Sequence, residues 1–177
     1  MKVGDEEKSS HNNHVVEPGT ADIFISPLGF HFYAAEFFDA ARIVKRPDHL
    51  SPVPYYLYCR SIELSLKSFL LCKGVSKEAL PKRELSHDLE KIWKLACKLG
   101  IRGIIDVTQE HQACLRQANG YYQKKGFEYF ILTNAIRGYK DRPVLDVLHS
   151  LAELLLTQLK QCCVKATDNP PARQIRM

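Results

Sequence analysis

Residues 55–74 read YYLYCRSIELSLKSFLLCKG, a strongly apolar run with Arg60, Glu63 and Lys67 set in its middle. The alternation Ile62-Glu63-Leu64-Ser65-Leu66-Lys67 looks like a strand, but length decides against one. About 20 residues pass without a turn signal between Pro54 and Gly74, whereas strands usually span ~4–8. On a helix, Ile62, Leu66, Phe69 and Lys73 form one strip and Leu57, Leu64 and Leu71 another, while Arg60, Glu63 and Lys67 share one narrow seam. A helix apolar on most of its sides belongs at the centre of a bundle. The same three charges interrupt the best membrane-span candidate, so no span is expected. Glu63 and Lys67 stand in the favourable order for an i, i+4 ion pair. At the centre of a bundle they need further partners, because an unpaired buried charge is costly. His87 and Asp88, at the start of the next helix, are the natural candidates.

Outward from this segment, helical patterns continue in both directions. Upstream, Ser26 as N-cap and Pro27 at the first helical position open a helix. Phe30, Tyr33, Ala34, Phe37, Ala41 and Val44 form its apolar positions, and Arg46-Pro47-Asp48 stops it. Downstream, Gly74 ends the central helix and a basic connector containing Pro81 follows. Ser86-His87-Asp88-Leu89-Glu90 reads as a helix start, with a cap and acids in the first turn. Leu89, Ile92, Trp93, Ala96 and Leu99 make an amphipathic stripe, Lys91, Lys94 and Lys98 face out, and Gly100 and Gly103 close the helix. Residues 104–122 carry a weaker helical pattern, and the stretch FEYFILTNAIRGYKDRP is ambiguous between helix and extended chain. Asp141, Arg142 and Pro143 are expected to start a last helix through Leu145, Leu148, Ala152, Leu155 and Leu159. Five helical patterns without a clear strand predict an all-α fold, an antiparallel bundle of four to five helices. Residues 1–24 are expected to be a flexible arm, 25–165 the bundle and 166–177 a disordered tail.

The bulk composition suits one domain: 177 residues, 45% hydrophobic and 25% charged. A chain of this length buries enough surface to fold without metal or disulfide. The amino-terminal MKVGDEEKSSHNNH has neither an apolar core nor a cleavage-like site, so it is not read as a secretory signal. The six cysteines form no C-x-x-C pair, and most fall at apolar helical positions. Buried reduced thiols in a cytoplasmic protein is the expectation. The adjacent Cys162 and Cys163 have no His or Cys at ligand spacing, so no metal and no cofactor is expected. The net charge is +5. Lys91, Lys94, Lys98 and Arg102 lie in a predominantly basic stretch, a candidate nucleic-acid face as well as an ordinary solvated one.

No glycine-rich phosphate loop, nucleophile elbow, H-E-x-x-H or zinc-type spacing is present. The sequence does resemble a known family at its second and third helices. An E-L-x-L-K core (Glu63, Leu64, Leu66, Lys67) with Gly74 at the helix end is followed by H-D-L (His87, Asp88, Leu89). An aromatic-rich first helix precedes it, and Arg137-Gly138-Tyr139 lies before a Pro-led last helix. Together these resemble the HEPN superfamily, the higher eukaryote and prokaryote nucleotide-binding helical domains, over roughly residues 27–160. The resemblance implies a homodimer and a place in a prokaryotic defence or toxin–antitoxin-like system. Some members of the superfamily are metal-independent ribonucleases; others are non-catalytic RNA-binding or scaffold domains.

The ribonuclease members carry Arg, four to six residues, then His. Arg42…His49 and Arg142…His149 both fit that spacing, but with seven His in the chain chance alone supplies such pairs. The second is the better placed, at the start of the last helix, where Arg142 and His149 would meet a substrate across a dimer. The leading expectation is a non-catalytic homodimeric binding or scaffold module that contacts RNA or a nucleotidyltransferase-type partner protein. The alternative is a toxin-like endoribonuclease using Arg142 and His149. The seam of Arg60, Glu63, Lys67, His87 and Asp88 is either a polar network fixing helix register or a ligand pocket.

Overall fold

The computed structural model describes residues 26–44, 51–80, 85–129 and 141–169, together with 171 and 175. Among these, five α-helices carry the fold: α1 (Pro27–Ile43), α2 (Val53–Cys72), α3 (Leu89–Lys98), α4 (Gln109–Tyr122) and α5 (Leu145–Asp168). The chain is an all-α bundle, and short 3-10 turns at Lys77–Ala79 and Ile101–Gly103 sit in its connections.

α2 is the central element. It touches each of the other four helices, and every residue from Ser61 to Leu71 is buried. Its end follows from Gly74, whose φ of 83° suits a residue without a Cβ. Gly74 N–H then bonds the Leu71 carbonyl at 3.0 Å and Val75 N–H the Leu70 carbonyl at 3.0 Å, closing the last turn. Gly100, at φ 88°, ends α3 in the same left-handed conformation. The core joins Phe38 and Ala41 of α1, Ile62, Leu66 and Phe69 of α2, Ile92 and Ala96 of α3, Leu115 and Ala118 of α4, and Leu151, Leu155 and Leu159 of α5. Among the described residues no helix is long and apolar enough to cross a membrane.

Pairwise contacts fix the relative directions. Ala34 meets Ser61 and Phe38 meets Tyr58, so α1 and α2 run antiparallel. Leu28 meets Thr167 and Phe38 meets His149, so α1 and α5 do as well. α2 and α5, by contrast, are parallel. Tyr58 bonds His149 and Cys72 lies against Cys163, both at a sequence offset of 91. A constant offset over four turns means the two helices climb together in register.

Several expected boundaries move. The helix start read over Ser86–Glu90 falls at Leu89, with Asp88 as N-cap: the carboxylate accepts from Lys91 N–H at 3.1 Å. α4 begins at Gln109 instead of residue 104, behind a Thr108–His111 capping box. α5 begins at Leu145, with Val144 as cap, so Asp141, Arg142 and Pro143 precede the helix instead of starting it. At its other end α5 runs to Asp168, beyond the expected limit at 165. Ile175 then pairs with Val75 in an isolated parallel bridge beside the end of α2. On α1 the buried face is His31, Ala34, Phe38 and Ala41, while Tyr33 is exposed. Aromatic residues surround this helix, so apolar spacing alone does not choose between Phe37 and Phe38. The arm 1–24, His49 and the Arg137–Tyr139 motif lie outside the described residues.

Candidate functional site

The charged seam of α2 converges on one carboxylate. Glu63 is fully buried. Its Oε1 accepts from Lys67 Nζ at 2.6 Å. Its Oε2 accepts from Arg60 at 3.0 Å, from the Tyr122 hydroxyl at 2.5 Å and from His87 Nδ1 at 3.2 Å. Burial by itself would raise the Glu63 carboxyl, but the His87 hydrogen bond and the Lys67 and Arg60 charges overcome it and hold the group well below the usual carboxylate range. The ionised carboxylate can only accept, so His87 must carry its proton on Nδ1. Burial and the neighbouring Glu63 charge push the Tyr122 phenol far up, keeping it a donor. His87 reaches this position in a left-handed conformation, φ 55°. For a non-glycine residue that costs about 1–3 kcal/mol, which the surrounding contacts must over-determine.

Asp88 does not join this cluster. It is buried one residue further on and serves α3 and α4. Besides capping α3, it accepts from Asn119 Nδ2 at 3.2 Å, Gln123 Nε2 at 2.9 Å and Lys91 Nζ at 3.2 Å. Asn119 Oδ1 in turn accepts from Leu89 N–H at 2.8 Å. His87 and Asp88 thus point to different partners, one clamping α2 and the other tying α3 to α4. Tyr122, Asn119 and Gln123, all from the end of α4, complete the two clusters and were not anticipated. Their spacing at i, i+3 and i+4 marks one helix face, but nothing local says what that face meets.

Arg142 and His149 each have partners of their own within the chain. The Arg142 guanidinium lies 5.9 Å above the Tyr55 ring. The His149 ring stacks on Phe38 at 5.0 Å and meets Tyr58 edge-on at 5.5 Å. Its Nδ1 shares a 3.0 Å hydrogen bond with the Tyr58 hydroxyl, and its Nε2 faces Glu153 at 3.9 Å. Both ring nitrogens therefore have protein groups beside them.

A groove opens between α3 and α4. Its volume is about 570 Å³, and Lys94, Lys98, Arg102 and Arg116 line it with Trp93 and Leu115. Four cations face one acid there, Glu90. Three of the expected basic residues reach this groove, whereas Lys91 is turned to Asp88. Arg116 joins them from α4, on a segment whose charge looks unremarkable in the sequence. The Arg102 guanidinium is held toward α4 by a 3.4 Å bond to Gln112. Such a volume accommodates a nucleotide-sized group, and the focused positive charge suits phosphate oxygens.

Among the described residues no group of three or more His, Cys, Asp or Glu is placed to hold a metal ion. Comparison with protein-family models, curated proteins and solved structures returned no match.

Proposed function

We propose that this chain is a HEPN-like helical binding module, non-catalytic and homodimeric, which contacts RNA through the α3–α4 groove in a prokaryotic defence or toxin–antitoxin-like system. The observation that carries the RNA contact is the meeting of Lys94, Lys98 and Arg102 with Arg116 around one concave surface. Two further features are in keeping with the family reading: the Glu63–Lys67 pair on the central helix, and the His87-Asp88 step that opens α3. α1 exposes Phe32, Tyr33 and Ile43, apolar surface that a second copy would cover.

Electrostatic binding has a measurable signature. Each phosphate neutralised on a single strand contributes a slope of about −0.7 in log K against log salt. Four groove cations then give about −3, or about a 50-fold loss between 50 and 200 mM salt. Fluorescence anisotropy with a labelled single-stranded RNA tests this. A slope near zero, or no binding at low salt, would refute the proposal.

The ribonuclease alternative has one observation in its favour. His149 is oriented by Tyr58 and its side chain retains 33% exposure. Incubating the protein with labelled RNA in EDTA separates the two readings. Cleavage that disappears in His149→Ala establishes the enzyme; intact RNA at micromolar protein leaves the binding module.

A further inference from the structure

Where α2 ends, three sulfur-bearing residues gather with a histidine. Cys72 is the last residue of α2 and is half-buried. Cys163 lies fully buried on the facing side of α5, and the two sulfurs are 3.7 Å apart. The Cys163 sulfur also lies 3.4 Å from the Ser68 hydroxyl, and the His31 imidazole acts on it electrostatically. His31 is itself buried, and its Nδ1 has no hydrogen-bond partner. Cys162, next in sequence, is half-buried and also interacts with Cys72.

We infer that Cys72 and Cys163 are a redox modification site, closing into an intrachain disulfide when the protein meets hydrogen peroxide. The in-register, parallel packing of α2 and α5 is what makes the pair. The same offset that sets Tyr58 on His149 brings Cys72 to Cys163 four turns later. Of the two thiols, Cys163 is the one the surroundings activate. The hydrogen bond from Cys72 opposes burial, His31 adds to it, and the Cys163 thiol is pulled down. The bond to Cys163, together with burial, pushes Cys72 up, so it serves as the second, resolving thiol. Reactivity of this kind follows the thiolate and a resolving cysteine beside it.

The chemistry balances in two steps. The Cys163 thiolate attacks one peroxide oxygen, the O–O bond breaks, and Cys163 sulfenic acid and hydroxide form. The hydroxide takes the Cys72 thiol proton and leaves as water. The Cys72 thiolate then attacks the Cys163 sulfur, the S–S bond forms, and the second hydroxide leaves, becoming water with the proton that Cys163 gave up on ionising. Two thiols are oxidised by two electrons, and one peroxide is reduced to two waters. Peroxide is the oxidant of choice because it is barely larger than water and can pass the half-buried Cys72. A bulky disulfide reagent has no such route to Cys163.

Treating the reduced full-length protein with stoichiometric peroxide and mapping its peptides without reductant tests the inference. The expected product has lost two hydrogens and yields a linked Cys72–Cys163 peptide, with the far-UV spectrum still helical. In Cys72→Ser, where the resolving thiol is gone, dimedone present as the peroxide-treated protein is unfolded should label Cys163 as the sulfenic acid. A disulfide to Cys162 instead, only intermolecular links, or a Cys163 that dimedone never labels in Cys72→Ser would each overturn it. The bond should also raise the thermal midpoint, because it closes a long loop between α2 and α5.

Discussion

Replacing Glu63 with glutamine tests whether the buried seam stabilises the bundle. The change keeps the side chain's shape, removes its charge and turns one acceptor oxygen into an NH2 donor. Lys67 and Arg60, whose side chains are 10% and 29% exposed, then lose the anion they surround. Breaking a buried charge pair from one side costs about 3–5 kcal/mol. The substituted amide still offers one carbonyl oxygen to hydrogen-bond donors, so the lower end, about 3 kcal/mol, is expected. For a chain of this size that corresponds to about 6–12 °C in the melting midpoint. Urea unfolding followed by circular dichroism reads it directly as a lower midpoint at unchanged slope. The double variant Glu63→Gln with Lys67→Met should recover part of the loss, since it removes the stranded cation too. The effect also has a pH sign. The folded carboxyl lies below its unfolded value, so its stabilisation is complete above the unfolded value of about 4.3 and is lost as pH falls toward the folded one. Wild type should therefore lose more stability than Glu63→Gln as pH falls below about 4.3. A Glu63→Gln midpoint within about 0.5 kcal/mol of wild type at pH 7 would refute the reasoning, because surface substitutions reach that size without any buried network.

Three further outcomes follow from other contacts. Arg116→Glu reverses a groove charge away from the core and should weaken RNA binding at least fivefold at 100 mM salt, about 1 kcal/mol, while shrinking the salt slope by about 0.7; anisotropy titrations check both. Asp88→Ala removes the α3 cap and the acceptor that Asn119 and Gln123 share, so it should cost about 2–3 kcal/mol by urea unfolding. Ile43→Asp places a charge on the exposed end of α1, where Ile43 is 80% exposed, and should convert the proposed dimer to monomer in light scattering without lowering monomer stability.

The local marks of the helices were readable because each is set by neighbours in sequence. Ser26 caps α1 through the Gly29 N–H, and Gly74 and Gly100 end α2 and α3 because only their backbones accept the left-handed turn at low cost. The amphipathic stripe of α3 is equally local. Where a side chain also has partners on another helix, sequence was the weaker guide. The Asp88 carboxylate that caps α3 also accepts from Asn119 and Gln123, which α4 supplies.

The sequence by itself determined that this protein is helical, that the run beginning at Tyr55 lies in its central helix and ends at Gly74's turn, and that Glu63 and Lys67 pair along it. Periodicity, caps and i, i+4 spacing act over a turn or two, and a sequence displays that range directly. Only the tertiary structure decided which faces meet. It sent His87 to Glu63 and Asp88 to α4, added Tyr122 to one cluster and Arg116 to the groove, and left His149 packed against Phe38 and Tyr58. It also ran α2 and α5 parallel, bringing Cys163 to Cys72 from 91 residues away. These outcomes depend on how five helical patterns dock, and docking is settled by complementary packing and by satisfying buried charge, neither of which has a period to read along the chain.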